Sequence, residues 1–392
     1  MPKSVFSFED SIGFLAHFST HHSPYQNSPD KFINAFEQLH MRNIRGGGNG
    51  STKQSGWYDR LCANGVRHTL GFPIGATPDS IADEIAQYRP GCIIAVEPMN
   101  EYDAFALNPA HPDPNWVTTL TRAQRVLWNT IKSNPKWSQI TVLGPGLSSI
   151  SRYPKLGNLE SISDAGNYHD GTCDGSPLTH HYKNIADKLR FVRAAYPTKP
   201  LWVGETNYAN NPKTSFCAVS KEVAARYVPR MFLERFNLGE PHTFYNELAD
   251  NPDEGPGWGT LGLMNPQADP YPAYTALQSL LGTMPQDYSA GALVPLQFEI
   301  NGDLANVHHT LLQAANGTYY AFLWLEVDSW DVKAKHDLNP RPQTVSITVP
   351  SRIHTASLYT PDSEFTLTRT TVSVHRSMRV KVSDSPEILE LR

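Results

Sequence analysis

Eight short apolar runs, each giving way to a polar loop and most then to an amphipathic helical pattern, occupy roughly residues 12 to 285 of this 392-residue chain. Strands that alternate with helices in this way lie parallel in one sheet, with the helices covering its faces. The runs are Ile12 to Ser19, Asn43 to Arg45, Val66 to Phe72, Cys92 to Met99, Ile140 to Leu143, Ala165 to His169, Leu201 to Gly204 and His242 to Tyr245. Ser28-Pro29-Asp30 and Thr77-Pro78-Asp79 cap the helices that follow them, each with proline at the first helical position. Phe32, Phe36 and Leu39 share one helical face. So do Val117, Leu120, Leu127 and Ile131 beyond Trp116, and later Ile185, Leu189, Val192 and Tyr196. A helix from Val223 to Phe236 contains Pro229, which should kink or split it, and Ala273 to Leu281 closes the series. Eight such units in about 270 residues match an α/β fold of the (β/α)8 TIM-barrel kind. A doubly wound open sheet is the competing architecture, but no Gly-rich phosphate fingerprint follows an early strand.

Beyond about residue 289 the period changes. Phe298 to Ile300, Tyr319 to Leu325, Thr344 to Val349, Ala356 to Tyr359, Phe365 to Thr368, Thr371 to Val374, Arg379 to Val382 and Ile388 to Leu391 are short alternating segments divided by turn residues. That pattern predicts an all-β sandwich. The expected organisation is a barrel over 1–288 and a sandwich over 289–392, with residues 1–10 free to pair with either. Support of the barrel is the simplest role for the second domain.

Composition narrows the partners. A net charge of -5 and a pI near 6.3 argue against nucleic acid, which needs a basic stripe. No run approaches the roughly 18 apolar residues of a membrane span. The first ten residues lack the apolar core of a signal peptide. The chain is therefore expected to be secreted or periplasmic if a leader has been removed, and cytoplasmic otherwise. Cys62, Cys92, Cys173 and Cys217 show no metal-ligand spacing. Cys92 is expected in a buried strand, and Cys173 and Cys217 fall in loops after neighbouring strands, where a disulfide could join them. Asn49-Gly50-Ser51 and Asn316-Gly317-Thr318 match the glycosylation pattern, which is too short to carry weight. Oligomeric state is not legible.

Two carboxylates stand where apolar strands meet loops: Glu101, after Asn100 at the end of the fourth run, and Glu205, in Trp202-Val203-Gly204-Glu205-Thr206. In a parallel barrel the strand ends converge on one face, where catalytic groups collect. Two such glutamates, one protonated and one ionised, are what cleavage of a glycosidic bond needs. Glu101 would act as acid and then base, Glu205 as nucleophile, and the Asn100 amide would hold a neighbouring sugar hydroxyl. Arg45, ending the second strand, is the candidate to keep Glu205 charged. Glu97 lies one layer deeper on the strand of Glu101, where a buried charge demands a partner, and is expected in a structural ion pair. His17, Tyr168, His169, Tyr208 and Tyr245 are candidates to line a sugar cleft. Trp258, with Trp57, Tyr102 and Tyr25, could supply stacking platforms. Glu247 ends the eighth strand beside substrate or loop backbone and is not assigned a catalytic part.

The run Val96-Glu97-Pro98-Met99-Asn100-Glu101 resembles the strand-four signature of the clan A retaining glycoside hydrolases, and Trp202-Val203-Gly204-Glu205-Thr206 resembles their strand-seven nucleophile. The ending Pro386-Glu-Ile-Leu-Glu-Leu391 is similar to the last sandwich strand of the family 39 and family 30 branches. The likeness extends over essentially the whole chain and is specific for the clan. It implies a (β/α)8 barrel, double displacement with retention, and no metal or other cofactor. Tyr102 stands where proline is common, and Tyr168-His169 where several members have His-x-Tyr.

The expected substrate is a carbohydrate. Aromatics spread over several loops suggest endo-action on a β-linked polysaccharide or oligosaccharide, with an exo-acting β-xylosidase or α-L-arabinofuranosidase as the alternative. A metal-dependent barrel hydrolase would exploit the 15 histidines. Its usual pair of first-strand histidines one residue apart is absent, since His17 is followed by His21 and His22. An inactive carbohydrate-binding scaffold is the remaining alternative.

Overall fold

The computed structural model describes residues 1–18, 22–46, 56–179, 184–215, 217–374 and 377–392. Ser19, His21, Gly47-Gly48 and the Asn49-Gly50-Ser51 pattern lie outside the described residues. A short strand β1 (Lys3–Ser4) and helix α1 (Val5–Ser11) precede eight parallel strands. These are β2 (Ile12–Leu15), β3 (Asn43–Arg45), β4 (Arg67–Gly71), β5 (Ile93–Glu97), β6 (Thr141–Val142), β7 (Gly166–His169), β8 (Leu201–Thr206) and β9 (Thr243–Tyr245). They pair in the order β6-β5-β4-β3-β2-β9-β8-β7. Helices α2 (Pro24–Asn27), α3 (Pro29–Gln38), α4 (Trp57–Ala63), α5 (Pro78–Ile85), α6 (Tyr102–Ala106), α7 (Trp116–Ser133), α8 (Ile185–Arg193), α9 (Lys221–Asn237) and α10 (Pro272–Leu281) connect and cover them.

Strand parity divides the core in two. Leu15, Ala95, Leu143, Ala165, Trp202 and Phe244 form one buried cluster within the curved sheet. Their strand neighbours turn outward instead: Phe14, Ile44 and Tyr245 toward α3 and α9, Val96 and Leu70 toward α5 and α7. Successive side chains on a strand alternate faces, so both surfaces of the sheet must be apolar at its base.

The sheet is not closed into a continuous barrel, contrary to the sequence expectation. Among the described residues, β6 and β7 meet in one isolated parallel bridge, Leu143 to Ala165. Backbone bonds from Gly144 N to Ala165 O (2.9 Å) and Asp164 N to Val142 O (2.8 Å) flank it. The cause is local: β6 is two residues long and runs into Gly144-Pro145-Gly146, where proline has no N–H to extend a ladder. No α-helix follows β6; 3-10 segments Ile150–Leu156 and Glu160–Ile162 take its place. The Tyr153 hydroxyl tethers the seam by donating to Asn167 O (2.7 Å) and accepting from Leu147 N (3.1 Å).

Pro229 does not split its helix, since α9 runs unbroken from Lys221 to Asn237. From Val223 to Phe236 nearly every residue is buried, and that packing outweighs the lost hydrogen bond at proline. Two disulfides are formed, Cys173–Cys217 and Cys62–Cys92. Cys92 therefore lies just before β5, tied to α4, rather than packed as a strand thiol.

The remaining strands are β10 (Glu299–Asn301), β11 (Val307–Gln313), β12 (Tyr319–Leu325), β13 (Trp330–Asp331), β14 (His336–Asp337), β15 (Gln343–Thr348), β16 (Ala356–Pro361), β17 (Leu367–Val372), β18 (Ser377–Val382) and β19 (Glu387–Leu391). A six-stranded sheet, β1-β11-β12-β19-β16-β17, and a three-stranded sheet, β10-β15-β18, enclose a core of Leu323, Val345, Ile347, Val380 and Leu389. The first strand enters by pairing Lys3 with Leu312 and Ser4 with Gln313. The two strands expected at 365–368 and 371–374 are one strand, β17. Phe365 has φ 61° and closes the turn that starts it, a left-handed backbone no strand accommodates.

Helix α9 joins the two parts through buried charge. Arg230 is fully buried, 2.8 Å from Glu326, and donates to Val327 O at 2.9 Å. Glu234 accepts from Trp324 Nε1 (2.9 Å) and lies 2.6 Å from His308 Nδ1. Breaking a buried pair from one side strands the other charge, at a cost of about 3–5 kcal/mol. Arg230→Met is therefore expected to lower unfolding stability by about that much, and Arg230→Met with Glu326→Leu to restore most of it. Urea denaturation of both variants checks this; a single variant as stable as the parent would show that the pair holds nothing together.

Candidate active site

The carboxyl ends of β2, β3, β4, β5, β8 and β9 surround a cavity of about 650 Å³, lined by His17, Arg45, Glu97, Asn100, Glu101, Glu205, Asn246, Glu254 and Trp258 among others. Parity explains which side chains arrive there. On β7, Asn167 and His169 point inward; on β9, Phe244 points inward and Asn246 continues that face.

Arg45 is the centre of the arrangement and is almost wholly buried. Its Nε donates to Glu97 Oε1 (2.6 Å), Nη1 to Glu205 Oε1 (2.7 Å) and Nη2 to Asn100 Oδ1 (2.7 Å). Burial alone would weaken the guanidinium's hold on its proton, but Glu97 and Glu205 more than offset this and raise its pKa. Glu97 thus has the ion-pair partner its depth demands, and its other oxygen accepts from Asn167 Nδ2 at 2.6 Å.

Glu205 accepts a second hydrogen bond, from Asn246 Nδ2 at 3.2 Å. Burial favours its neutral form, yet the nearby His169 ring and the Arg45 charge and hydrogen bond prevail, so its pKa lies below the ordinary glutamate value. The residue is aimed by a bulge. Tyr168 pairs with Val203, but His169 pairs with Glu205, leaving Gly204 out of register. A Cβ at Gly204 would fall 2.3 Å from Asn167 Oδ1, so any larger residue here would have to displace the Asn167 amide.

Glu101 stands on the opposite side of the cavity, at the N-cap of α6, with φ 47° and ψ 39°. A left-handed backbone at a non-glycine residue stores about 1–3 kcal/mol and is held here by tertiary contacts. Its N–H donates to Gly146 O (3.2 Å) and its Oε1 lies 2.8 Å from His169 Nδ1. His169 Nε2 sits 3.4 Å from Arg45 Nη2. A guanidinium only donates, so Nε2 is the acceptor and Nδ1–H faces Glu101. Ligand atoms of Glu101, His169 and Glu205 all lie within 4.8 Å of one another. A cation could span that spacing, but the Arg45 charge already rests against two of the three.

His17, Arg45, Asn100, Glu101, His169, Glu205 and Trp258 are thus brought together or to the cavity rim. Three predicted lining residues are not. Tyr168 is on the outer face of β7, hydrogen-bonded to Glu240 and to Arg235 of α9 (2.9 Å from the latter). Adjacent strand residues face opposite ways, so Tyr168 and His169 cannot share a cleft. Tyr245 is likewise outward, its hydroxyl donating to Tyr208 O at 3.2 Å, and Tyr208 is buried with its hydroxyl on Gly175 O at 3.1 Å. Of the aromatic platforms, Trp258 is 65% exposed, whereas Tyr25 and Tyr102 are buried and Trp57 packs on Phe18. Sequence reading missed Asn167, Asn246 and Glu254. Asn167 was findable, standing two residues before His169 on one strand face.

No family model matches the chain, and no curated protein matches it. Solved structures do. A family 51 α-L-arabinofuranosidase from Thermotoga petrophila aligns over 100% of this chain and 98% of its own, with TM-score 0.64 and 11% identity. A family 39 glycoside hydrolase from Bacteroides cellulosilyticus aligns over 98% and 82%, with TM-score 0.61 and 14% identity. An α-L-arabinofuranosidase from Thermotoga maritima, in complex with arabinose, aligns over 92% and 89%, with TM-score 0.59 and 12% identity. The chain has the fold of these clan A-like glycoside hydrolases, and the likeness reaches both the parallel sheet and the antiparallel sheets after it.

A Cβ at Gly146 would lie 2.4 Å from His169 Nε2. Gly146→Ala is expected to push the ring off Glu101 and to destabilise the fold by about 1–3 kcal/mol, the usual cost of overpacking. Thermal unfolding and the imidazole nitrogen resonances of His169 test it, and unaltered resonances would mean that this clearance is not what holds the ring.

Proposed function

We propose that this protein is a retaining glycoside hydrolase in which Glu205 is the nucleophile and Glu101 the acid/base. The observation that carries the reading is the carboxylate spacing, within 4.8 Å between the ligand oxygens. Retaining pairs stand about 5–5.5 Å apart, whereas inverting pairs need about 6.5–9.5 Å to admit a water. In this mechanism Glu205, kept ionised by Arg45 and Asn246, attacks the anomeric carbon. Glu101 gives its proton to the departing glycosidic oxygen. The glycosyl ester on Glu205 is then hydrolysed by a water that Glu101, now ionised, deprotonates. His169 Nδ1–H orients Glu101. Asn100, fixed by Arg45 through its carbonyl, has its amide N–H groups free for the hydroxyl next to the reacting carbon.

The open eight-stranded sheet is read as a (β/α)8 barrel with one loosened seam, over 1–288, and the later sheets as its β-sandwich over 289–392. The substrate is a carbohydrate. Endo-action on a β-linked chain rested on aromatics spread over several loops, and the burial of Tyr25 and Tyr102 leaves Trp258 as the exposed platform. The second reading, an exo-acting α-L-arabinofuranosidase, draws for its substrate class on two α-L-arabinofuranosidases that align along nearly the whole chain. Both disulfides suit an oxidising compartment, hence a secreted or periplasmic protein. Among the described residues no helix is long and apolar enough to cross a membrane.

Four measurements bear on this reading. Glu205→Ala is expected to abolish turnover of aryl glycosides, and azide to restore part of it with formation of a glycosyl azide. Glu101→Ala should slow substrates with poor leaving groups at least about 100-fold more than activated ones, the range of general acid catalysis; equal losses would remove it from that role. Because its neighbours depress the Glu205 pKa, the nucleophile stays charged below the ordinary glutamate range. The acid limb of kcat/KM should fall there, and Arg45→Gln should move it to higher pH. Product sizing on arabinan, xylan and β-glucans separates the endo from the exo reading.

A further inference from the structure

Beside the carboxylate pair, Glu247 is a buried acid with no cation at hydrogen-bond distance among the described residues. It is fully inaccessible, and among the described residues no hydrogen bond of full geometry reaches either carboxylate oxygen. Glu254, Asp250 and Glu205 add further negative charge around it, with the Tyr25 hydroxyl nearby. An uncompensated buried carboxylate costs several kcal/mol unless it is protonated, paired or bound to a metal. The nearest basic group is His17, whose Nε2 is 3.8 Å from Glu247 Oε2. At that separation the imidazole and the carboxylate make no hydrogen bond.

Imidazole nitrogen and carboxylate oxygen are both donors to divalent metals. Glu254, exposed at the end of the 3-10 segment Pro252–Glu254, completes the set: His17, Glu247 and Glu254 each present one donor atom, all within 4.8 Å of one another. Four donors placed tetrahedrally about 2.0–2.1 Å from an ion lie about 3.4 Å apart. The His17–Glu247 separation needs to shrink by only a few tenths of an ångström. The backbone at His17 is anchored, since its carbonyl accepts from Ser23 Oγ at 2.7 Å, and the Glu254 carboxylate is oriented by accepting from Asn251 Nδ2 at 3.1 Å. His17 and Glu254 also line the cavity.

We propose that His17, Glu247 and Glu254 bind a first-row divalent cation of the zinc or manganese class, at one wall of the cavity and apart from the Glu101–Glu205 pair. One nitrogen and two carboxylate donors suit a borderline ion better than calcium or magnesium, which prefer oxygen throughout. The ion neutralises Glu247, ties the loop after β9 to the loop after β2, and keeps a coordination position open toward the cavity, where a sugar hydroxyl or water can ligate. The site stands independently of the hydrolase reading, because its detection needs no turnover.

The test is titration of the purified full chain, stripped with chelator, with zinc chloride and separately with manganese chloride by calorimetry, alongside the melting temperature. One equivalent of zinc or manganese should bind and raise the melting temperature. Glu254→Gln and His17→Ala, both accessible positions, should each weaken binding at least 10-fold with unchanged circular dichroism, and Glu205→Gln should not. Absence of saturable binding by the parent chain overturns the proposal. So does binding that survives Glu254→Gln and His17→Ala but is lost in Glu205→Gln, which would move the ion to the Glu101–His169–Glu205 cluster.

Discussion

One guanidinium organises this molecule's chemistry. Arg45 reaches three acceptors on two segments, Glu97 at depth on β5 with Asn100 just past its end, and Glu205 across the sheet on β8, all within 2.7 Å. Removed from water, such a cation is tolerable only among carboxylates, and the carboxylates are tolerable only around it. The five donors of the guanidinium lie in one plane, so the three contacts also fix the relative positions of β3, β5 and β8. Charge balance and geometry therefore come from the same residue.

The surroundings are built to keep this centre in register. Asn167 braces Glu97 from β7, Asn246 braces Glu205 from β9, and the glycine bulge at 204 leaves room for Asn167. On the far wall, His169 stands between Arg45 and Glu101, so the state of one carboxylate is felt at the other through a single ring. The antiparallel sheets take no direct part in this. They hold the outer helix α9, whose buried Arg230 and Glu234 reach into them.

The strands and their order of appearance were legible because apolar runs and helical periodicity are local properties of the sequence. Glu97 could be read as an ion-pair member from its depth on one strand face. Tyr168 and Tyr245 were misread because their position at strand ends was weighed above parity, which sends each to the helical layer. Parity also explains why Asn167 and Asn246, flanked by conspicuous tyrosines, escaped notice. The Cys62–Cys92 link could not be read at all: one partner lies on a helix and the other before a strand, and their 5.6 Å approach is set by packing. Nor does a sequence announce the left-handed backbone of Glu101, since glutamate has no preference for it.

The seam between β6 and β7 has a consequence for how this fold yields. With one bridge in place of a ladder, it is the stretch where the sheet resists separation least, and openings in proteins follow such lines of low local stability. The loop leaving β6 carries Gly146, whose carbonyl receives the Glu101 amide and whose missing side chain admits the His169 ring. Loosening of the seam is thus transmitted first to Glu101 and His169, while Arg45 and Glu205, anchored on the continuous side, stay put. Under heat or denaturant the two halves of the carboxylate pair would part company before the sheet itself comes apart, and function would fade ahead of structure.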